Sequence, residues 1–256
     1  MSRWHAFWLT ALLALFIGAP ALASPGFDFE HLHREDAPRD AVDVSINSTS
    51  WLSLEGAWLR RLDDVVGPRD LSVGAELELP ALLWIQTASV DTFRASGSVG
   101  MELYSWRSFS LAAKLRLDTR VQHDVMGTRF GLGTTLYVMP GAQVGRTSIA
   151  GLLGLSQGLT TFVSHSDYVR ETFDDRYLDG DGAGGTSDGP KDGWYAFPAT
   201  RVPLGAALSV RLNEAWSMHS SMGIVLTPDR FDTGLFSSMN LGLWPFWLDL
   251  GVAWRL

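Results

Sequence analysis

From residue 91 onward the chain alternates apolar and polar side chains with little interruption. Phe93, Ala95, Gly97, Val99, Met101 and Leu103 interleave with Arg94, Ser96, Ser98, Gly100, Glu102 and Tyr104. Phe109, Leu111, Ala113, Leu115, Leu117 and Thr119 then interleave with Ser110, Ala112, Lys114, Arg116, Asp118 and Arg120. A period of two predicts strands with one apolar and one polar face. Ser105-Trp106-Arg107 between the two runs predicts a three-residue turn. Facing residues share a face, so that turn pairs 104 with 108 and sets Arg94 opposite Asp118.

The same pattern recurs on both sides of this hairpin. A strand is predicted from about residue 50, with Leu52, Leu54 and Trp58 on one face, and 61–69 is read as a loop marked by Gly67-Pro68. Residues 70–79 follow, with Glu76 and Glu78 on the polar side, and Pro80 ends them. Residues 128–138 alternate, and Pro140-Gly141 predicts a turn. Residues 143–157 are a Gly-rich strand whose facing the pattern leaves open. Residues 201–212 and 216–226 alternate again, and 234–243 do so weakly. Residues 159–199 form a long polar insert. The count is about ten strands of about ten residues, the length a tilted strand needs to cross a bilayer, with twelve strands as the alternative. Alternation alone also suits a secreted β-sandwich.

The chain closes on Leu-Asp-Leu-Gly-Val-Ala-Trp-Arg-Leu, residues 248–256, another alternating strand. This stretch resembles the C-terminal strand of bacterial outer-membrane β-barrels, with Trp254 matching that pattern and Leu256 departing from it. The last hairpin, turned at Pro245, resembles the end of the OmpW family of small barrels over about fifteen residues. The resemblance implies an antiparallel transmembrane barrel, lipid against its apolar face, and the barrel-assembly machinery as a partner during biogenesis. Tryptophan placement agrees. Trp84, Trp106, Trp216, Trp244 and Trp247 lie in or beside predicted turns, the positions of an aromatic girdle at a membrane–water boundary.

Composition narrows the picture. The chain has 256 residues, no Cys, a formal charge of −8, 46% hydrophobic and 19% charged residues. The acidic balance excludes nucleic acid as a partner, and the absence of Cys excludes disulfides. Arg3, the apolar run Ala6 to Ala19 and the Ala21-Leu22-Ala23 cleavage site make residues 1–23 a signal peptide, so the mature chain is exported. Residues 24–42 form a polar periplasmic lead-in, read as a flexible acidic tail. Residues 43–256 form the barrel. Four strands counted after the insert place it on the side of a periplasmic C-terminus, against the usual rule that long loops lie outside; one strand fewer restores the rule.

The polar faces carry the candidate chemistry. Arg94, Glu102, Lys114, Arg116, Asp118, Arg120, Arg129, Arg201, Arg211, Asp249 and Arg255 belong in the lumen, because each would be costly against lipid. Near-balanced charges in a narrow lumen pair and fill it, which predicts a passive structural or porin-like barrel that passes at most a small solute, with mild anion preference. In the insert, Asp179, Asp181 and Asp188 are candidate calcium ligands within a 174–192 loop, against the alternative of a solvated Gly/Asp loop. No other cofactor is indicated. The rival function is an outer-membrane hydrolase acting on lipid or peptide at the barrel rim. Its candidates are His123-Asp124, His165-Ser166 and His219 with Ser220 and Ser221, none in a nucleophile motif.

Overall fold

The computed structural model describes residues 31–32, 39–48, 52–66, 69–80, 91–124, 127–170, 192–196, 200–226 and 246–256. They form β1 (Asp40–Ser48), β2 (Leu52–Val66), β3 (Arg69–Pro80), β4 (Asp91–Trp106), β5 (Phe109–Asp124), β6 (Gly127–Val144) and β7 (Thr147–His165). Four more follow: β8 (Gly193–Tyr195), β9 (Thr200–Arg211), β10 (Trp216–Leu226) and β11 (Phe246–Arg255). Consecutive strands pair antiparallel from β1 to β7, then β7 with β9, β9 with β10, and β10 with β11. β11 pairs with β1, from Ala41↔Arg255 to Ser48↔Leu248, and closes the ring. The fold is therefore a closed antiparallel barrel of ten strands. Closure leaves no wall strand with an unpaired edge. The three-residue β8 stands outside the ring and pairs with Thr161–Val163 of β7, beyond the point where β9 diverges.

Alternation along each strand becomes inside and outside of the barrel. On β5, Leu115 is 54% exposed and Lys114 only 2%. On β11, Leu250, Val252 and Trp254 point out while Trp247, Asp249 and Ala253 are buried within. The molecule is thus inverted relative to a soluble protein: apolar side chains cover the outer wall and charges fill the middle. The facing of β7, open in the sequence, follows from a bulge. Ser148, Ala150, Leu152 and Ser156 are buried, and past the register shift between Leu132 and Gly133 the buried side chains are Thr161 and Val163. The extra residue switches parity.

Several sequence expectations are corrected. β1 was not read as a strand, although Val44 and Ile46 face out and Asp43, Ser45 and Asn47 are buried. The weak strand expected at 234–243 lies outside the described residues. β2 runs to Val66 through an irregularity after Leu62, so 61–66 are strand rather than loop. β6 runs through Pro140 to Val144, and the turn is Gly145-Arg146. Pro140 is tolerated because the β6–β7 ladder skips Met139 and Pro140. The β4–β5 turn is Arg107-Ser108, with Arg107 at φ 57°, and a bulge lies between Glu102 and Tyr104. Together these shift the pairing by two residues, so Arg94 faces Arg120 and Asp118 faces Ser96.

The pairing also settles the two ends. β1 begins and β11 finishes at one end, which also carries the connections 67–68, 107–108, 145–146 and 212–215. We call it the terminal end. At the opposite, insert end stand the strand ends Ser48, Leu52, Pro80, Asp91, Asp124, Gly127, His165, Thr200, Leu226 and Phe246. Three barrel strands, β9 to β11, follow the expected insert, so its flanking strand ends His165 and Thr200 lie opposite the C-terminus, which corrects the expected four. Finally, His31 is buried and Leu32 packs against the lumen wall, so this part of the lead-in is not a free tail.

Candidate functional site in the barrel lumen

One wall of the lumen is a charge network spread over β2 to β6. Glu76 on β3 accepts from Lys114 Nζ at 2.6 Å and from Ser96 Oγ at 3.0 Å, and Arg116 Nη1 approaches it at 3.5 Å. These cations stand on β5, two strands away from β3. They reach Glu76 because β4 presents only Ser96, Ser98 and Gly100 between them. Small residues on one strand are what allow long side chains on its neighbours to meet. Arg116 Nε also holds Asp118 at 2.7 Å and its guanidinium lies 5.8 Å from the centre of the Tyr137 ring. Asp118 accepts in turn from Thr135.

Toward the insert end, Arg94 pairs with Glu78 at 2.5 Å and approaches Glu55 at 3.9 Å, and Ser53 donates to Glu78 at 2.5 Å. Arg120 lies within the field of Glu78, Arg94 and Arg129. Arg129 and Arg201 are buried on the same inner surface. Glu102, Arg211 and Arg255 take inward registers near the terminal end, where Arg39 and Arg61 join them. The anticipated Arg94–Asp118 pair does not form: each has its own partner, because of the two-residue register shift.

A second polar group stitches the barrel seam. His219 on β10 lies 2.6 Å through Nε2 from Asp43 Oδ1 on β1, and 3.4 Å through Nδ1 from Asp249 Oδ1 on β11. Ser221 donates to the same Asp249 oxygen at 3.5 Å. The imidazole reaches β1 by crossing above Gly251, whose pairing partners are Ser45 and His219. A Cβ at Gly251 would stand 2.3 Å from the ring. Asp43 and the clamping role of His219 were not anticipated.

Another part of the inner surface is apolar. Tyr137, Met139, Leu152, Ala207, Val225 and Trp247 form one buried cluster with Ala112 and Ala150. Trp247 is 2% exposed and lies over Gly205 and Gly223, so it belongs to the lumen and not to the expected girdle. Trp84 and Trp244 lie outside the described residues. Trp106 and Trp216 do face outward at the terminal end, Trp216 stacked on Trp254 at 6.0 Å between centroids. At the insert end Phe130 and Phe162 pack around Trp194 of β8.

The other histidines stand at the insert-end rim. His123 Nδ1 meets Thr128 Oγ1 at 2.8 Å. His165 gives its backbone N–H to Asp192 Oδ1 at 2.9 Å, and Arg170 Nη2 holds the other carboxylate oxygen at 2.5 Å. The N–H of His165, its ring and the Arg170 guanidinium hold the Asp192 carboxyl down at about 2. The rings of His123 and His165 meet Thr128 and Asp192, and that of His219 meets Asp43 and Asp249. The proposed calcium ligands Asp179, Asp181 and Asp188 lie outside the described residues, and no metal-binding group of acids and histidines occurs among those described. No protein-family model matches the chain, and no curated protein matches its sequence.

Proposed function

We propose that this chain is an outer-membrane β-barrel protein of a Gram-negative bacterium with a narrow, charge-paired lumen and a passive structural or porin-like role. The observation that carries this reading is the inversion of the wall: Leu115 and Leu117 stand exposed beside buried Lys114 and Arg116. An outer wall lined with apolar side chains suits lipid. The signal-peptide pattern of residues 1–23 and the terminal strand support export and recognition by the assembly machinery. The short connections beside both termini suit the periplasm, and the insert then faces outward. Arg39, Arg61, Arg211 and Arg255 around one mouth, and Arg120, Arg129 and Arg201 near the other, favour anions among any small solutes that pass.

The test is cell fractionation. Mature protein belongs in the outer-membrane fraction and should need detergent for extraction. Recovery as a soluble periplasmic protein would overturn the reading. In planar bilayers the wild-type protein should give small or rare openings, and large stable porin-sized currents would show that the paired side chains do not fill the lumen. The reading includes no catalysis. Fatty-acid release from vesicles, abolished by His123→Ala, His165→Ala or His219→Ala, would move the protein to the hydrolases.

A further inference from the structure

The inner face of β6 is bare where its neighbours carry cations. Arg129, Gly131, Gly133 and Thr135 share that face, so two consecutive inward positions have no side chain. A Cβ at Gly131 would meet, among the described residues, only Thr161 Oγ1 of β7 within 4 Å, at 3.6 Å. Gly131 pairs with Arg120 on β5, and Arg120 pairs with Arg94 on β4. Arg129 pairs with Gln122, two residues along from Arg120, which makes Arg129 and Arg120 diagonal neighbours. Three guanidiniums thus gather on three adjacent strands. Arg94 is answered by Glu78 at 2.5 Å and by Glu55 at 3.9 Å. Arg120 makes no ion pair among the described residues. The charges acting on it are Glu78, which already holds Arg94, and the like charges of Arg94 and Arg129. Like charges set opposite each other in a sheet are destabilising, the more so away from water.

We propose that the gap over Gly131 is a binding site for a small tetrahedral oxyanion, phosphate or a compact phosphate monoester, held by Arg120, Arg129 and the Thr161 hydroxyl. A guanidinium is a planar fork whose parallel N–H donors match two oxygens of a phosphate. Two forks and a hydroxyl supply donors to oxygens on several sides of one tetrahedral anion. The glycine floor lets that anion approach the wall between them. The nearest carboxylate along β5, Asp118, stands opposite Gly133 and is turned to Arg116 at 2.7 Å and to Thr135 at 3.3 Å. The anion therefore belongs on the insert-end side of Asp118, where Arg120 and Arg129 stand. Arg201, buried on β9 opposite Ser156, adds a positive charge on the far side of β7. Bound phosphate relieves the repulsion among the arginines and so stabilises the folded barrel. The site deepens the passive-barrel reading by naming the solute class, and only passage of the solute rests on that reading.

Binding needs no bilayer, which separates the two. The full mature chain, refolded in detergent at low salt and titrated calorimetrically with inorganic phosphate, should show one saturable site. Sulfate should displace the phosphate, and chloride at the same ionic strength should not. Arg120→Gln and Arg129→Gln should each weaken the affinity by about tenfold. Arg60→Gln, which removes a half-exposed charge beside Asp40, should leave it unchanged. Gly131→Val keeps every charge and fills the floor with a residue suited to a strand. Phosphate binding should then be lost while the heat-sensitive gel shift of the folded barrel remains. If valine prevents folding, Gly131→Ala takes its place and should weaken binding, its methyl resting on Thr161 at an ordinary contact distance. No saturable binding by folded wild-type protein, equal displacement by chloride, or undiminished binding in the folded Gly131 variant overturns the site. Soluble mature protein on cell fractionation would overturn the membrane reading alone and leave the phosphate titration to judge the site.

Discussion

Lys114 and Leu115 are adjacent in sequence and live in opposite surroundings. Leu115→Arg places a guanidinium on the outer wall, which at mid-depth in a bilayer costs roughly 2–4 kcal/mol. Lys114→Met does damage by a different route, leaving the buried Glu76 with the Ser96 hydrogen bond and the longer Arg116 contact. Losing one partner of a buried pair costs about 3–5 kcal/mol, and Arg116 should hold this case to the lower end. Adding Glu76→Gln to Lys114→Met should recover most of that loss, whereas Leu115→Arg has no such rescue. Urea titration of refolding into lipid checks all three, and a double variant no more stable than Lys114→Met refutes the pairing. By the same logic Arg94→Ala and Glu78→Ala should be non-additive, while Arg94→Ala and Asp118→Ala should add within about 0.5 kcal/mol. On β4 and β5 the side each residue faces is legible in the sequence, because a period of two encodes a side. Partners are not, since a period of two is indifferent to a shift by two residues. The Arg107-Ser108 turn and the bulge after Glu102 made that choice.

Two elements carry consequences of their own. β8 is held to β7 by three ladder residues and by Asp192, whose carboxyl lies at about 2 instead of its ordinary 3.8. A depressed carboxyl stabilises the folded form above its unfolded value and loses that contribution as pH falls through the folded one. Protection of the Gly193–Tyr195 amides, corrected for the intrinsic pH dependence of exchange, should therefore fall between about pH 4 and pH 2, while that of the barrel ladders holds. Asp192→Asn should show the loosening already at neutral pH; identical exchange in the variant would remove Asp192 as the latch. At the seam, Gly251→Ala drives a methyl into the His219 ring, and overpacking of this kind typically costs 1–3 kcal/mol. A heat-titrated gel shift of the folded barrel should reveal it, and a wild-type profile would deny the close approach. Element boundaries were partly legible. The first strand is expected only from about residue 50, because the apolar half of β1 is just Val42, Val44 and Ile46 between short polar residues. β6 was cut at Pro140 because proline signals a turn, whereas here the ladder skips it. Trp247 was assigned to a turn although the period of its strand places it inward.

On the scale of the whole molecule, the ten-strand ring was readable from alternation, and the arrangement of its ends was not. One misplaced strand after the insert moves it to the other end of the ring, which is why the pairing of β9, β10 and β11 matters more than the total. The resulting orientation is testable on intact cells. A protease site introduced between residues 183 and 184, in the insert, should be cut from outside, and one introduced in the Gly145-Arg146 turn should be cut only after the outer membrane is opened. Cleavage in the reverse order would invert the assignment. The interior pattern was half legible. The charges could be sorted into the lumen from their strands, but the sequence does not announce that Ser96, Ser98 and Gly100 clear the way for Lys114, or that Leu32 would come to rest on Gly100.

The seam has a kinetic meaning as well. β1 meets β11 across roughly two hundred residues of chain, the most non-local contact in the fold. Hairpins such as β4–β5 join neighbours and need little loop closure, but the ring cannot shut until its final strand has been synthesised. Until then two unpaired edges and the apolar exterior stand open to aggregation, so on the proposed outer-membrane reading the exported chain would need escort for the entire interval. The Asp43–His219–Asp249 stitch lies at that last junction. Its contribution falls mainly after the folding barrier, on how rarely a finished barrel unzips, more than on how quickly it forms.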